Sequence, residues 1–399
     1  MSGDSRRNRY DHDMSDAASI RLLTPGPTAV PEPVLAELAR PVIHHRTAGF
    51  RAIFADVSKR LQRLYRTEGP VLTLAGSGTT AFEAAQVSLI GPGRRALTIA
   101  SGKFGERWQD IYAAHGVEQE RLDVPWGSAV TAGEIADALE RSPEVDVVTL
   151  VVSETSTATM CDLRSIAEVV RKHNVLLIAD GITAVGAIPI EMDAWGVDVL
   201  VAGSQKALML PPGLGFVGLG PRALERLERP IALPAYCLDL RRWLESWRKD
   251  DVPFTPPISL IRGQQVALEM IETEGLENVW RRSAGLATAT RSAFIAMGLD
   301  LVSRAPSDSL TGAFYPEGVE DAAFRARLRD AHHIQIAGGQ SGRGAKWKGR
   351  IMRLSHMGHV DADDTLAALT AIEQELIAAG HDLAPGTAAS AARKAGLSA

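Results

Sequence analysis

Apolar residues recur along the chain in two alternating rhythms. Blocks in which nearly every position is apolar, Val71–Ala75, Ala96–Ala100, Val145–Val152, Val175–Ala179 and Val197–Ala202, read as strands buried on both faces. Between them, apolar residues fall at helical spacing. Phe50, Ile53, Phe54, Val57, Leu61 and Leu64 predict a helix over 50–65, and Leu163, Ile166, Val169 and Val170 predict another, capped by Asp162. Further helices are expected over 31–38, 81–90, 258–274, 276–297 and 361–379. The alternation across 71–220 predicts an α/β fold, with a mainly parallel central sheet flanked by helices. From Leu301 onward it predicts a smaller α+β C-terminal domain. The expected organisation is a disordered tail over 1–18, a large domain with an N-terminal arm over 19–275, a small domain over 276–385, and a flexible Ala/Gly/Ser-rich tail over 386–399.

Composition narrows the function classes. Apolar residues make up 45% of the 399 and charged residues 23%, as in ordinary globular chains. The net charge is −5, with no basic block or stripe, which argues against nucleic acid or an anionic membrane as partner. No apolar run reaches the roughly 18 residues of a membrane span, and the N-terminus lacks a signal-peptide core. Two cysteines, Cys161 and Cys237, can build neither a disulfide framework nor a Cys-rich metal site, and fit a reducing, cytoplasmic setting. His44 and His45 are adjacent rather than four apart and have no third ligand nearby, so no metal is expected. Small-molecule chemistry remains.

Polar residues enter the apolar pattern at strand ends. Lys206 follows Val197–Ala202 in Gly203-Ser204-Gln205-Lys206-Ala207, and Asp180 ends Val175–Ala179. Burying an ammonium costs roughly several kcal/mol unless its pKa falls or it reacts. A lysine and an aspartate facing one crevice are the minimum apparatus for pyridoxal phosphate: an amine to form an imine and a carboxylate to keep the pyridine nitrogen protonated. Gly76-Ser77-Gly78-Thr79-Thr80, between a strand and a helix, can hold an anion on free amides and the helix dipole; on pattern alone an ordinary helix cap explains it as well. Gly213–Gly218 matches G-x-G-x-x-G, but its glycines lie within a segment that itself reads as a strand, so dinucleotide binding is not expected. Ala337–Gly344 reads as a mobile glycine-rich loop.

Together with Thr24-Pro25-Gly26-Pro27-Thr28, Gly102-Lys103-Phe104-Gly105-Glu106-Arg107, Ser153-Glu154-Thr155-Ser156-Thr157, Pro211-Pro212-Gly213-Leu214, Phe254-Thr255-Pro256 and Arg353-Leu354-Ser355-His356-Met357-Gly358, these motifs run in a fixed order from about residue 20 to about 380. In this the chain resembles class V (fold type I) pyridoxal-phosphate-dependent aminotransferases of the alanine–glyoxylate / serine–pyruvate group. The resemblance implies the fold type I PLP-transferase architecture and a homodimer with shared active sites. It implies that Lys206 holds the cofactor and Asp180 its ring nitrogen. Ser77, Gly78, Thr79 and Gln205 would take the phosphate, with Thr255 from the other subunit. Phe104 and Ile182 would cover the ring, Ser156 would lie near its O3′ side, and Glu154 and Thr155 would line the site. Gly26 would line the substrate pocket and Arg353 would grip the substrate α-carboxylate. Arg46 either reads a second acidic group from the partner subunit or is a surface arginine. Val252 stands where the alanine–glyoxylate enzymes carry a tyrosine that contacts the phosphate. The implied reaction is ping-pong transfer of an amino group from alanine or serine to glyoxylate or pyruvate. Pyridoxamine–pyruvate or aspartate transamination, a lyase and, more distantly, an NAD-dependent oxidoreductase stay open as alternatives.

Overall fold

In the computed structural model, which describes residues 20–90, 93–229 and 235–398, the apolar blocks pair into one seven-stranded sheet. Its strands are β1 (Val71–Gly76), β2 (Arg95–Ala100), β3 (Glu118–Asp123), β4 (Val145–Val151), β5 (Leu176–Asp180), β6 (Val199–Gly203) and β7 (Gly213–Leu219). The spatial order is β1-β7-β6-β5-β4-β2-β3. All pairings are parallel except those of β7, which runs antiparallel to both β1 and β6.

The continuous apolar runs follow from burial on both faces. Leu177, Ala179, Leu200 and Ala202 point into one core layer, while Leu176, Ile178, Val199 and Val201 point into the other. Helix α1 (Ala48–Tyr65) covers the first face through Phe50, Val57 and Leu61. Helices α2 (Gly78–Leu89) and α3 (Lys103–Ala114) cover the second through Phe82, Trp108 and Tyr112. The G-x-G-x-x-G glycines lie inside β7, and close packing explains them. A Cβ on Gly215 would sit 2.5 Å from the Ser77 carbonyl oxygen, and one on Gly218 would sit 2.8 Å from the Tyr65 ring.

The small domain packs helices, among them α4 (Leu276–Ala296) and α5 (Ala362–Ala378), on an antiparallel sheet. That sheet is built of β8 (Leu310–Phe314), β9 (Ala337–Gly338) and β10 (Ile351–Ser355), in the order β8-β10-β9. Leu23 of the N-terminal arm packs in this core with Leu286, Phe324 and Leu354. The arm thus starts on the small domain before it crosses to the large sheet.

Two expectations about the ends of the chain meet different outcomes. The tail over 1–18 lies outside the described residues. The tail expected to be flexible beyond 386 instead forms helix α6 (Thr387–Lys394). Its Ala388 and Ala392, four apart, are buried in the small-domain core, and the buried carboxylate of Glu373 accepts the amides of Gly386 and Ala388. Alanine-rich composition, read as fraying, is also the best intrinsic helix former.

Candidate active site

The register of the central strands sets their carboxyl ends level: Val151 of β4 lies opposite Asp180 of β5, and Asp180 opposite Val201 of β6. A cavity of about 190 Å³ opens there, at the edge where open α/β sheets bind ligands. Lys206 reaches it from the turn after β6, and its ammonium donates to the Pro25 carbonyl at 2.6 Å. The Thr28 hydroxyl donates to the Lys206 carbonyl at 2.7 Å and ties the arm to this turn. Gly26 is required where it stands: its φ is +126°, and a Cβ would fall 1.9 Å from the lysine nitrogen. Burial, and then the charges of Arg353 and Arg107, pull the Lys206 ammonium down to about 8 against the opposing pull of Asp180.

Asp180 is buried and accepts hydrogen bonds from Trp108 Nε1 at 2.7 Å and the Ile182 amide at 2.9 Å. Burial pushes its carboxyl up to about 7, although both hydrogen bonds favour the anion. Trp108 shares one face of α3 with Phe104 and Arg107, at the i, i+3 and i+4 spacing of a helix. Phe104 sits in the first turn of this helix. Neither Trp108 nor Arg107 stood out in the sequence as a site residue. The signal was the helix that continues from Phe104, which places both beside the cavity.

Helix α3 begins at Gly102, which has no side chain to cap it. Glu154 does so, accepting the amides of Phe104 and Gly105 at 3.0 Å each. A Cβ on Gly102 would lie 2.4 Å from both Glu154 and Ser156. Ser156 departs from its expected place beside the cofactor. It is wholly buried, its hydroxyl donates to Glu154 at 2.6 Å and accepts the Lys103 amide at 2.8 Å, and it does not line the cavity. A buried carboxylate must collect donors, and Ser156 is one of them. Burial raises the pKa of Glu154 above the usual carboxylate value. Ser153 and Thr183, unforeseen, line the cavity.

Ser77 takes the cap position of α2. Its side chain accepts the Thr80 amide at 3.4 Å, and Thr80 Oγ1 accepts the Ser77 amide at 3.1 Å, so the ordinary capping reading is true here. The amides of Gly78 and Thr79 precede the intrahelical ladder, and both residues line the cavity. A Cβ on Gly78 would meet Ile182 at 2.5 Å, so only glycine lets Ile182 reach the cavity. Gln205 lines the cavity too, and its buried side-chain oxygen has no partner among the described residues.

Arg353, on β10, is buried and does not itself line the cavity. It donates to the carbonyls of Thr155, which lines the cavity, at 2.7 Å and of Gly338 at 2.9 Å. Burial pulls its pKa down to about 10. The loop expected to be mobile is fastened to α3. Arg343 donates to Asp110 and Gln109, and the Gly344 amide to Glu106, which replaces flexibility with an ion pair and hydrogen bonds. Arg46 and Thr255 are exposed and do not line this chain's cavity. Arg46 donates to Asp251 at 2.7 Å and to the Val252 carbonyl at 2.9 Å. Cys161 is buried, its thiol pushed up to about 12, and neither cysteine lines the cavity.

A buried amine with a lowered pKa, a buried carboxylate, a planar side chain, free amides at a helix start and an orphaned amide oxygen fit pyridoxal phosphate. The Aminotransferase class-V family model matches residues 22–364. The chain is 38% identical over 94% of its length to the "Soluble hydrogenase, small subunit" of Synechococcus sp., covering 97% of that protein. It is 31% identical over 94% of its length to the L-aspartate–glyoxylate aminotransferase of Paracoccus denitrificans, covering 95% of it. Among solved structures it superimposes on pyridoxamine–pyruvate aminotransferase from Mesorhizobium loti with a TM-score of 0.89 at 30% identity, covering 96% of this chain and 98% of the other. Fold and site together define a pyridoxal-phosphate-dependent transaminase. The chain belongs to the class-V aminotransferase family.

Proposed function

We propose that the protein transfers the amino group of a small L-amino acid, alanine or serine, to glyoxylate or pyruvate by a ping-pong mechanism. The observation that carries the reading is Lys206. Its amine is buried beside Asp180, lowered to about 8, and given its space by Gly26. The Paracoccus relative, named for glyoxylate, and the Mesorhizobium structure, named for pyruvate, support the choice of acceptors. Arg46 is committed to Asp251, which favours donors without a second carboxylate.

Bound pyridoxal phosphate supplies a carbonyl that takes up the amino group and a ring that accepts the electron pair released at the substrate Cα. Lys206 holds the cofactor at rest. Released by the incoming amino acid, its amine would take the proton from the substrate Cα and deliver it to the carbon that was the cofactor's carbonyl, on the other side of the transferred nitrogen. Asp180 would keep the proton on the ring nitrogen, Phe104 and Ile182 would cover the ring, and Ser77, Gly78, Thr79 and Gln205 would hold the phosphate. Arg353 binds the substrate carboxylate as a planar two-pronged donor.

The partner subunit completes the site in this reading. Thr255 lies exposed and away from its own chain's cavity, as a residue serving a neighbour would. Lys206→Ala should abolish turnover. Borohydride reduction of the wild type should attach the cofactor to the peptide containing Lys206, read by mass spectrometry. Attachment at another lysine would overturn the assignment.

A further inference from the structure

Phosphate binding in the proposed site leaves a charge unanswered. A phosphate monoester carries between one and two negative charges near pH 7. The side chains and amides of Ser77, Gly78, Thr79 and Gln205 are all neutral, and a helix start contributes only about half a positive charge. Val252, which the resemblance aligns with a tyrosine on the phosphate, is buried and contributes no polar side chain. Among the described residues lining the cavity, the only cations are Lys206 and Arg107, and Lys206 is occupied with the cofactor's carbonyl.

Arg107 is placed for the remaining charge. Its guanidinium donates to Thr79 Oγ1 at 3.4 Å, at the first turn of α2, and lies 4.8 Å from the centre of the Phe104 ring. No carboxylate pairs with it among the described residues, although most arginines of this chain are paired. It stands three residues after Phe104 and one before Trp108. One face of α3 would thus address the ring through Phe104, the ring nitrogen through Trp108 and Asp180, and the phosphate through Arg107.

We infer that Arg107 is the cation that binds the cofactor phosphate, taking up the contact that Val252 does not make. The inference rests on the proposed phosphate position at Ser77–Thr79. A guanidinium suits the task because it presents a planar pair of donors to two phosphate oxygens.

The test separates phosphate from ring. Cofactor-free wild type, Arg107→Gln and Arg107→Lys are titrated with pyridoxal phosphate and with pyridoxal, which lacks the phosphate, and binding is read from visible absorbance. Arg107→Gln should weaken pyridoxal phosphate about 10- to 100-fold and leave pyridoxal within about two-fold. Arg107→Lys should recover part of the loss. Pyridoxal also serves as the folding control. Equal weakening of both ligands would overturn the inference, because Arg107 would then act on the ring through Phe104. Unchanged affinity for both, with a raised KM for the amino donor, would overturn it in favour of a substrate contact. A wild type that binds pyridoxal as tightly as pyridoxal phosphate would overturn the phosphate position itself, and the inference with it.

Discussion

Lys206 and Asp180 are charged groups buried at a stability cost. The Lys206 pKa falls from 10.5 to about 8, so its contribution to stability is present above 10.5 and is lost as pH falls through 8. The Asp180 pKa rises from 3.8 to about 7, so its contribution is complete below 3.8 and is lost as pH rises through 7. Near pH 7.5 both costs are present. Lys206→Met and Asp180→Asn should each raise the melting temperature of the cofactor-free protein at that pH by at least about 2 °C, while each disables transamination. A lowered melting temperature in both would contradict the burial argument. Trp108→Phe removes a donor to Asp180 and so raises its pKa further. The acid limb of the pH dependence of kcat/KM should move upward by about half a unit or more; an unmoved limb would separate Trp108 from Asp180. Arg353→Lys loses the fork that reaches the Thr155 and Gly338 carbonyls, so KM for the amino acid should rise at least about ten-fold.

Lys206, Asp180 and Ser77 stand at strand ends beside one cavity, and that placement was legible in the sequence. Lys206, Asp180 and Ser77 each interrupt an apolar block where it ends, because a strand buried on both faces can place a polar side chain only at its edge. Less legible were residues whose role depends on partners distant in sequence. Glu154 and Ser156 read alike as pocket residues, yet both are turned to the start of α3, because Gly102 leaves that helix without a cap. Trp108 was hidden by its setting, since an aromatic inside an amphipathic helix looks like core, and its ring is indeed core while its N–H serves Asp180. Glu154→Gln would put an amide N–H beside the amides of Phe104 and Gly105 or turn one away from Ser156. It should lower the melting temperature by about 2 °C or more, and a thermal unfolding curve checks it.

For the whole molecule, the change of rhythm near residue 300 matches a second core and a separate three-stranded sheet, but their joins to the rest of the chain were not legible. The N-terminal arm belongs to both domains, packing Leu23 in the small core and Pro25 against the lysine. The final segment folds because α4 and α5 offer it an apolar seat, which no local pattern announces. Ending the chain at Gly380 should expose that seat and lower the melting temperature by several degrees. The proposed shared sites predict complementation: an inactive Lys206→Ala chain mixed with an inactive Thr255 variant should regain activity in hybrid dimers.

The most direct test of transamination at Lys206 is the visible spectrum of the purified protein, followed as L-alanine and then glyoxylate are added. The bound-cofactor band should fall with alanine and return with glyoxylate, in wild type and not in Lys206→Ala. A band that ignores every amino donor, or no band after reconstitution with pyridoxal phosphate, would contradict it.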